Sequence, residues 1–137
     1  MRNLFLDTNV VIDFLADRKP FSLDAAKLFD LSVSKEASIY ISAVSYNNIY
    51  YILRQSLSES ATMKLLNALA GMSEILDVTK AVIEQALKSE FKDFEDAIQY
   101  YCALSLPKME CIVTRNTKDF KKSSLAVMTP GEAAALL

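Results

Sequence analysis

The chain has 137 residues, 52% hydrophobic and 23% charged. That suits a single folded domain over residues 1–137 with a proper core, and it excludes a disordered chain. A net charge of −2 argues against broad, non-specific binding to nucleic-acid backbones, and the absence of histidine removes Ser-His-Asp triads, Cys-His nucleophiles, HExxH zinc sites and His-ligated iron.

In chain order, Leu4-Phe5-Leu6 is a short apolar run, and residues 3–7 are predicted as a first strand. Residues 8–17 follow as a short helix with Val11, Phe14 and Leu15 on one face. Pro20 breaks the chain, and Ser22 is expected to cap a second helix whose apolar face includes Ala25, Leu28 and Phe29. Ser38–Ile41 is the second predicted strand. Ser42 or Ser45 then opens a long helix through Leu53. Ser58 starts another helix, with Gly71 expected to stop it.

Residues 74–78 are predicted as the third strand, and Thr79 caps a helix over 80–90. Asp93 begins a further helix to about Leu104, and Cys111–Val113 is the fourth strand. Residues 125–128 are the fifth, and Thr129-Pro130-Gly131-Glu132 carries the pattern of a capping box before a small last helix. Strands alternating with helices imply an α/β fold, a parallel sheet covered on both faces. Cys102 and Cys111 lie among apolar residues and read as buried thiols. No apolar run approaches the ~20 residues that span a bilayer. No basic-then-apolar leader is visible, so no membrane association and a cytosolic location are expected.

Asp7 is the residue that stands out. It lies where the first strand hands over to a helix, at the edge where open parallel α/β sheets place their ligands. Read structurally, it caps that helix, although Thr8 or Asn9 can perform that duty instead. Asp93 and Asp96 lie one turn apart on one face at the start of a later helix. Complementing the helix dipole accounts for Asp93, whereas Asp96 lies nearer the buried side and needs a partner or a metal. Asp119 follows the fourth strand among Arg115, Lys118, Lys121 and Lys122, as a turn residue or as part of an ion site. Acids converging on one sheet edge make a hard-cation site suited to Mg²⁺ or Mn²⁺, and that is a route to phosphodiester chemistry without histidine.

Four segments carry a family resemblance. They are Leu6-Asp7-Thr8-Asn9, Ile41-Ser42-Ala43-Val44-Ser45, Asp93-Phe94-Glu95-Asp96-Ala97 and Val113-Thr114-Arg115-Asn116-Thr117-Lys118-Asp119-Phe120. In this order and spacing the chain resembles a PIN domain, and single-domain bacterial members of this size resemble VapC-type toxins. The resemblance implies a Rossmann-like sheet of about five parallel strands and metal-dependent ribonuclease activity, with an RNA substrate and a small antitoxin as partner. It implies Asp7, Asp96 and Asp119 as metal ligands. Thr114 and Asn116 line the turn, Arg115 positions the RNA backbone, and Asp93 is a secondary candidate. Where the family usually has a glutamate, this chain has Asn48, a neutral ligand or orienter. Glu95 makes a poor substitute on helical geometry, lying about 100° round from Asp96.

The alternative is a PIN-fold module with weakened catalysis that binds RNA or an antitoxin. A haloacid-dehalogenase-type phosphatase ranks below both, because Asp7-Thr8-Asn9 lacks the second acid of Asp-x-Asp. Tyr50, Leu53 and Leu57 form an apolar stripe suited to a homodimer, and the helix pair at 43–71 offers a groove for an antitoxin helix. Tyr46, Tyr50 and Tyr51 can stack bases, but at helical spacing they read first as core or dimer contacts.

Overall fold

The structure is a computed structural model that describes residues 2–136. Five strands form one all-parallel sheet in the order β3-β2-β1-β4-β5. They are β1 (Arg2–Leu6), β2 (Ala37–Ser42), β3 (Glu74–Leu76), β4 (Cys111–Val113) and β5 (Ala126–Met128). The helices are α1 (Thr8–Leu15), α2 (Phe21–Val33), α3 (Ala43–Leu53), α4 (Glu59–Met72), α5 (Lys80–Lys88), α6 (Phe94–Leu104) and α7 (Pro130–Leu136). A short 3-10 turn, Thr117–Phe120, joins β4 to β5.

Both faces of the sheet are covered, and strand alternation decides which side chain goes where. Leu4 and Leu6 of β1, Ile39 and Ile41 of β2, and Cys111 and Val113 of β4 share one core with α1, α2, α3 and α4. Phe5, Tyr40 and Ile112, one step along each strand, join the other core with α5 and α6. Both cysteines are buried and free. Burial pushes each thiol up to about 11, so both stay protonated near neutrality. Among the described residues no helix is long and apolar enough to cross a membrane.

Several local expectations need correction. The strand β1 ends at Leu6 and α1 ends at Leu15, each short of the predicted bound. Ser22 does not cap α2: the helix starts at Phe21 behind Pro20, and the buried Ser22 hydroxyl has no partner. Gly71 does not stop α4, which runs through it to Met72. Ser73 closes that end instead, its hydroxyl donating to the Leu69 carbonyl at 2.7 Å. Of the Tyr50–Leu53–Leu57 stripe, Leu53 is buried and the other two are half-buried against the same core. The large apolar side chain that α3 leaves exposed is Tyr51. The capping box of α7 is present: Thr129 N–H donates to Glu132 Oε1 at 2.9 Å, and Glu132 N–H donates to Thr129 Oγ1 at 3.2 Å.

Candidate metal centre

Chain connections leave β1 towards β2 on one side, while β4 lies on its other side. This reversal opens a crevice at the strands' carboxyl ends, where α/β sheets bind ligands. Asp7 stands at its base and is almost fully buried. Its backbone N–H donates to Val113 O at 2.9 Å, extending the β1–β4 pairing by one residue. Its Oδ1 accepts from Thr8 N–H at 2.8 Å, and its Oδ2 accepts from Thr114 Oγ1 at 2.8 Å. Asp7 is therefore the cap of α1, a duty that neither Thr8 nor Asn9 has taken over. Capping leaves the carboxylate able to accept a further partner, because each oxygen keeps a free lone pair. The Thr114 hydroxyl also accepts from Asn116 N–H at 3.1 Å, tying the turn after β4 to Asp7.

The helix α6 begins at the same crevice. Asp93 is its cap, with Oδ1 accepting from Asp96 N–H at 3.0 Å. Asp93, Glu95 and Asp96 line one cavity with Asp7, Asn9, Asn116 and Asp119. Asp119 comes from the 3-10 turn, its N–H bonded to Asn116 O at 3.0 Å. The site thus draws acids from β1's end, from α6 and from the turn after β4. Both α1 and α6 present their N-termini to it, and their exposed N–H groups favour negative charge there.

The electrostatics record the crowding. Burial pushes the Asp7 carboxyl up, against the pull of its Thr114 and Thr8 hydrogen bonds, and Asp119 and Asp93 add to the rise. Asp96 is pushed up to about 7, first by burial and then by Asp93, Asp7, Asp119 and Glu95. Glu95 is raised by burial and by the charges of Asp7 and Asp93. Burial and mutual repulsion thus disfavour the charged form of all three carboxyls.

Asn48 does not line the cavity. It reaches across from α3, and its Nδ2 donates to Glu95 Oε1. Glu95 lines the cavity, a placement that the sequence reading did not expect. The 100° argument holds for a site beside a helix. This cavity lies off the helix end, where neighbouring first-turn side chains reach it from either flank. Arg115 faces away. Its guanidinium bonds to the buried Asp13 at 2.7 and 3.3 Å and stacks 4.1 Å over the Phe21 ring. The cations at the site are instead Arg18, on the cavity wall, and Lys92, Lys118, Lys121 and Lys122, in an adjoining groove that shares Asp93, Asp96 and Asp119.

Among the described residues no three acidic or thiol side chains are already gathered into a coordination shell. The donor set nevertheless fits a hard divalent cation: it is all oxygen, negatively charged and partly wet. Asn9 Oδ1 adds a buried oxygen on the same wall that has no hydrogen-bond donor. A cation would relieve both the crowded charge and the orphaned oxygen.

Residues 3–118 match the sequence profile of the PIN domain. No curated protein matches the chain. Among solved structures, a toxin–antitoxin complex from Klebsiella pneumoniae aligns with a TM-score of 0.68 at 25% identity, over 93% of this chain and 97% of that one. VapBC2 from Rickettsia felis, bound to a promoter DNA fragment, aligns with a TM-score of 0.69 at 19% identity, over 92% and 96%. VapC20 of Mycobacterium tuberculosis, a toxin that cleaves the sarcin-ricin loop, aligns with a TM-score of 0.62 at 16% identity, over 80% and 86%.

Proposed function

The chain belongs to the PIN-domain family, and from that membership we propose that it is a metal-dependent endoribonuclease, the toxin of a toxin–antitoxin pair. The observation that carries this reading is the convergence of Asp7, Asp96 and Asp119 on one cavity at the carboxyl ends of β1 and β4. These three acids would hold Mg²⁺ or Mn²⁺, with Asp93 beside them. A divalent ion bound there supplies Lewis acidity, activating water and neutralising phosphate charge.

The chain's own residues do the rest. Thr8 N–H and the Thr114 hydroxyl fix the two oxygens of Asp7, so its carboxylate does not rotate when substrate arrives. Asn116 extends the rim of the same turn. The lysine groove beside the acids offers cations to the phosphates flanking the scissile bond. Arg115 acts from behind: by bonding Asp13 it anchors the turn that carries Thr114 and Asn116. For an antitoxin, α3 and α4 expose Tyr51 and Met63, apolar anchors for a partner helix.

The test is cleavage of a mixed RNA panel with Mg²⁺ or Mn²⁺ by the wild type and by Asp7→Asn. Metal-dependent cutting that disappears in the variant is the expected result. Cutting that survives the substitution would put the site elsewhere. Folded protein that cuts nothing would leave the second reading, a module that binds RNA or an antitoxin without turnover.

A further inference from the structure

We propose that Glu95 is a fourth carboxylate ligand of the cation site, and that Asn48 is the positioning residue that aims it there. The proposal rests on the metal-site reading above and extends it by two residues of this chain.

Glu95 has a surface position in the first turn of α6 and has open solvent available to it. Left free, a carboxylate there would swing away from Asp7 and Asp93, whose charges repel it. It lines the acid cavity instead, bonded to the amide of Asn48 from α3. The chemistry of that tether matters. A lysine or arginine at position 48 would pair with Glu95 and cancel its charge. An amide orients one oxygen while leaving the full negative charge to the cavity. The bond occupies Oε1 and leaves Oε2 open. Residue 48 thus contributes aim, and residue 95 contributes the anion.

A merely structural reading of the same bond is a surface cross-link between α3 and α6. The two readings differ in what the bond serves. A cross-link affects stability and leaves cation affinity alone. A held ligand affects cation affinity and, because Glu95 is exposed, hardly touches folding.

The experiment is Mn²⁺ titration by calorimetry and by electron paramagnetic resonance. It compares the full-length wild type with Asp7→Asn, Glu95→Gln, Asn48→Ala and the exchange variant Asn48→Glu/Glu95→Gln. Circular dichroism and thermal melts confirm that each variant is folded. Glu95→Gln is expected to weaken Mn²⁺ binding about tenfold or more, and Asn48→Ala by a smaller factor of about three to ten. The exchange variant returns the carboxylate from the other helix and is expected to recover most of the affinity. Glu95→Gln that binds Mn²⁺ as the wild type does, while Asp7→Asn does not, overturns the role of Glu95 and leaves the metal site standing. A wild type that binds no Mn²⁺ overturns the site itself, and this proposal with it.

Discussion

Asp7 shows how one side chain holds two duties that pull on stability in opposite directions. Its hydrogen bonds to Thr8 and Thr114 favour the charged form, but burial among other acids outweighs them. Asp7→Asn keeps an oxygen for Thr8 N–H and places an amide against the Thr114 hydroxyl. Metal-free Asp7→Asn is therefore expected to melt a few degrees higher than the wild type, on the order of 1 kcal/mol, while losing RNA cleavage. Paired melting curves and cleavage assays check both halves. Asp13 is the contrasting acid, 1% exposed and held by Arg115, with Arg18 more distant at 3.8 Å. Arg115→Ala leaves that charge with only the distant Arg18 and is expected to cost about 2–3 kcal/mol in urea unfolding. Arg115→Met with Asp13→Leu should recover most of the loss, since an apolar pair leaves no orphaned ion.

Among the elements, α1, α3 and α6 are joined by buried polar side chains beneath the cavity. Gln99 of α6 is fully buried, and its Nε2 donates to Thr8 Oγ1 at 3.0 Å and to Ser45 Oγ at 2.8 Å. Those two hydroxyls are 2.7 Å apart. Thr8 adjoins Asp7, Gln99 is one turn beyond Asp96, and Ser45 is one turn before Asn48. The amide thus fixes the spacing of three helices directly beneath the acids. Gln99→Met is expected to cost about 1–2 kcal/mol and to weaken Mn²⁺ binding without removing any carboxylate. Calorimetry on folded variant protein measures it. Helix starts were the most legible local features: Ser42, Ser58 and Thr79 each accept a backbone N–H at the helix they were expected to open, while Asp93, expected to begin its helix, is the cap before it. Ser22 misled because Pro20 starts the helix one residue earlier, at Phe21, and Gly71 because the helix carries on one residue past it to Met72. Glu95 was illegible for another reason: periodicity along a helix does not say whether a site lies beside it or off its end.

For the whole molecule, the raised carboxyls set a pH trend. Asp96 is pushed from 3.8 to about 7, and Asp7 and Glu95 move the same way. Between those values the folded protein holds more protons than the unfolded chain, so stability falls as pH rises. Metal-free protein is expected to melt higher near pH 5 than near pH 8. Mn²⁺ should restore the loss at pH 8, and Asp96→Asn should flatten the trend. Thermal melts across that range, with and without metal, decide it. The order of strands and helices was readable at this scale because each strand is short, apolar and fenced by capping residues. The two-sided core was readable too, since β1, β2 and β4 are apolar at successive positions and so serve both faces. Arg115 was not, because its ion pair with Asp13 bridges residues far apart in sequence.

The Asp7–Thr114 hydrogen bond spans 107 positions of the chain. Synthesis delivers Asp7 well before its anchor. A growing polypeptide therefore carries the first acid long before β4 exists to seat it, and α6 and the 3-10 turn also arrive late. The cavity therefore assembles only after Asp119 has been made, with β5 and α7 still to follow. A chain cut short before the 3-10 turn lacks part of the acid cavity, and until β4 closes against β1 there is an interval in which a partner helix can meet a protein whose site is not yet assembled.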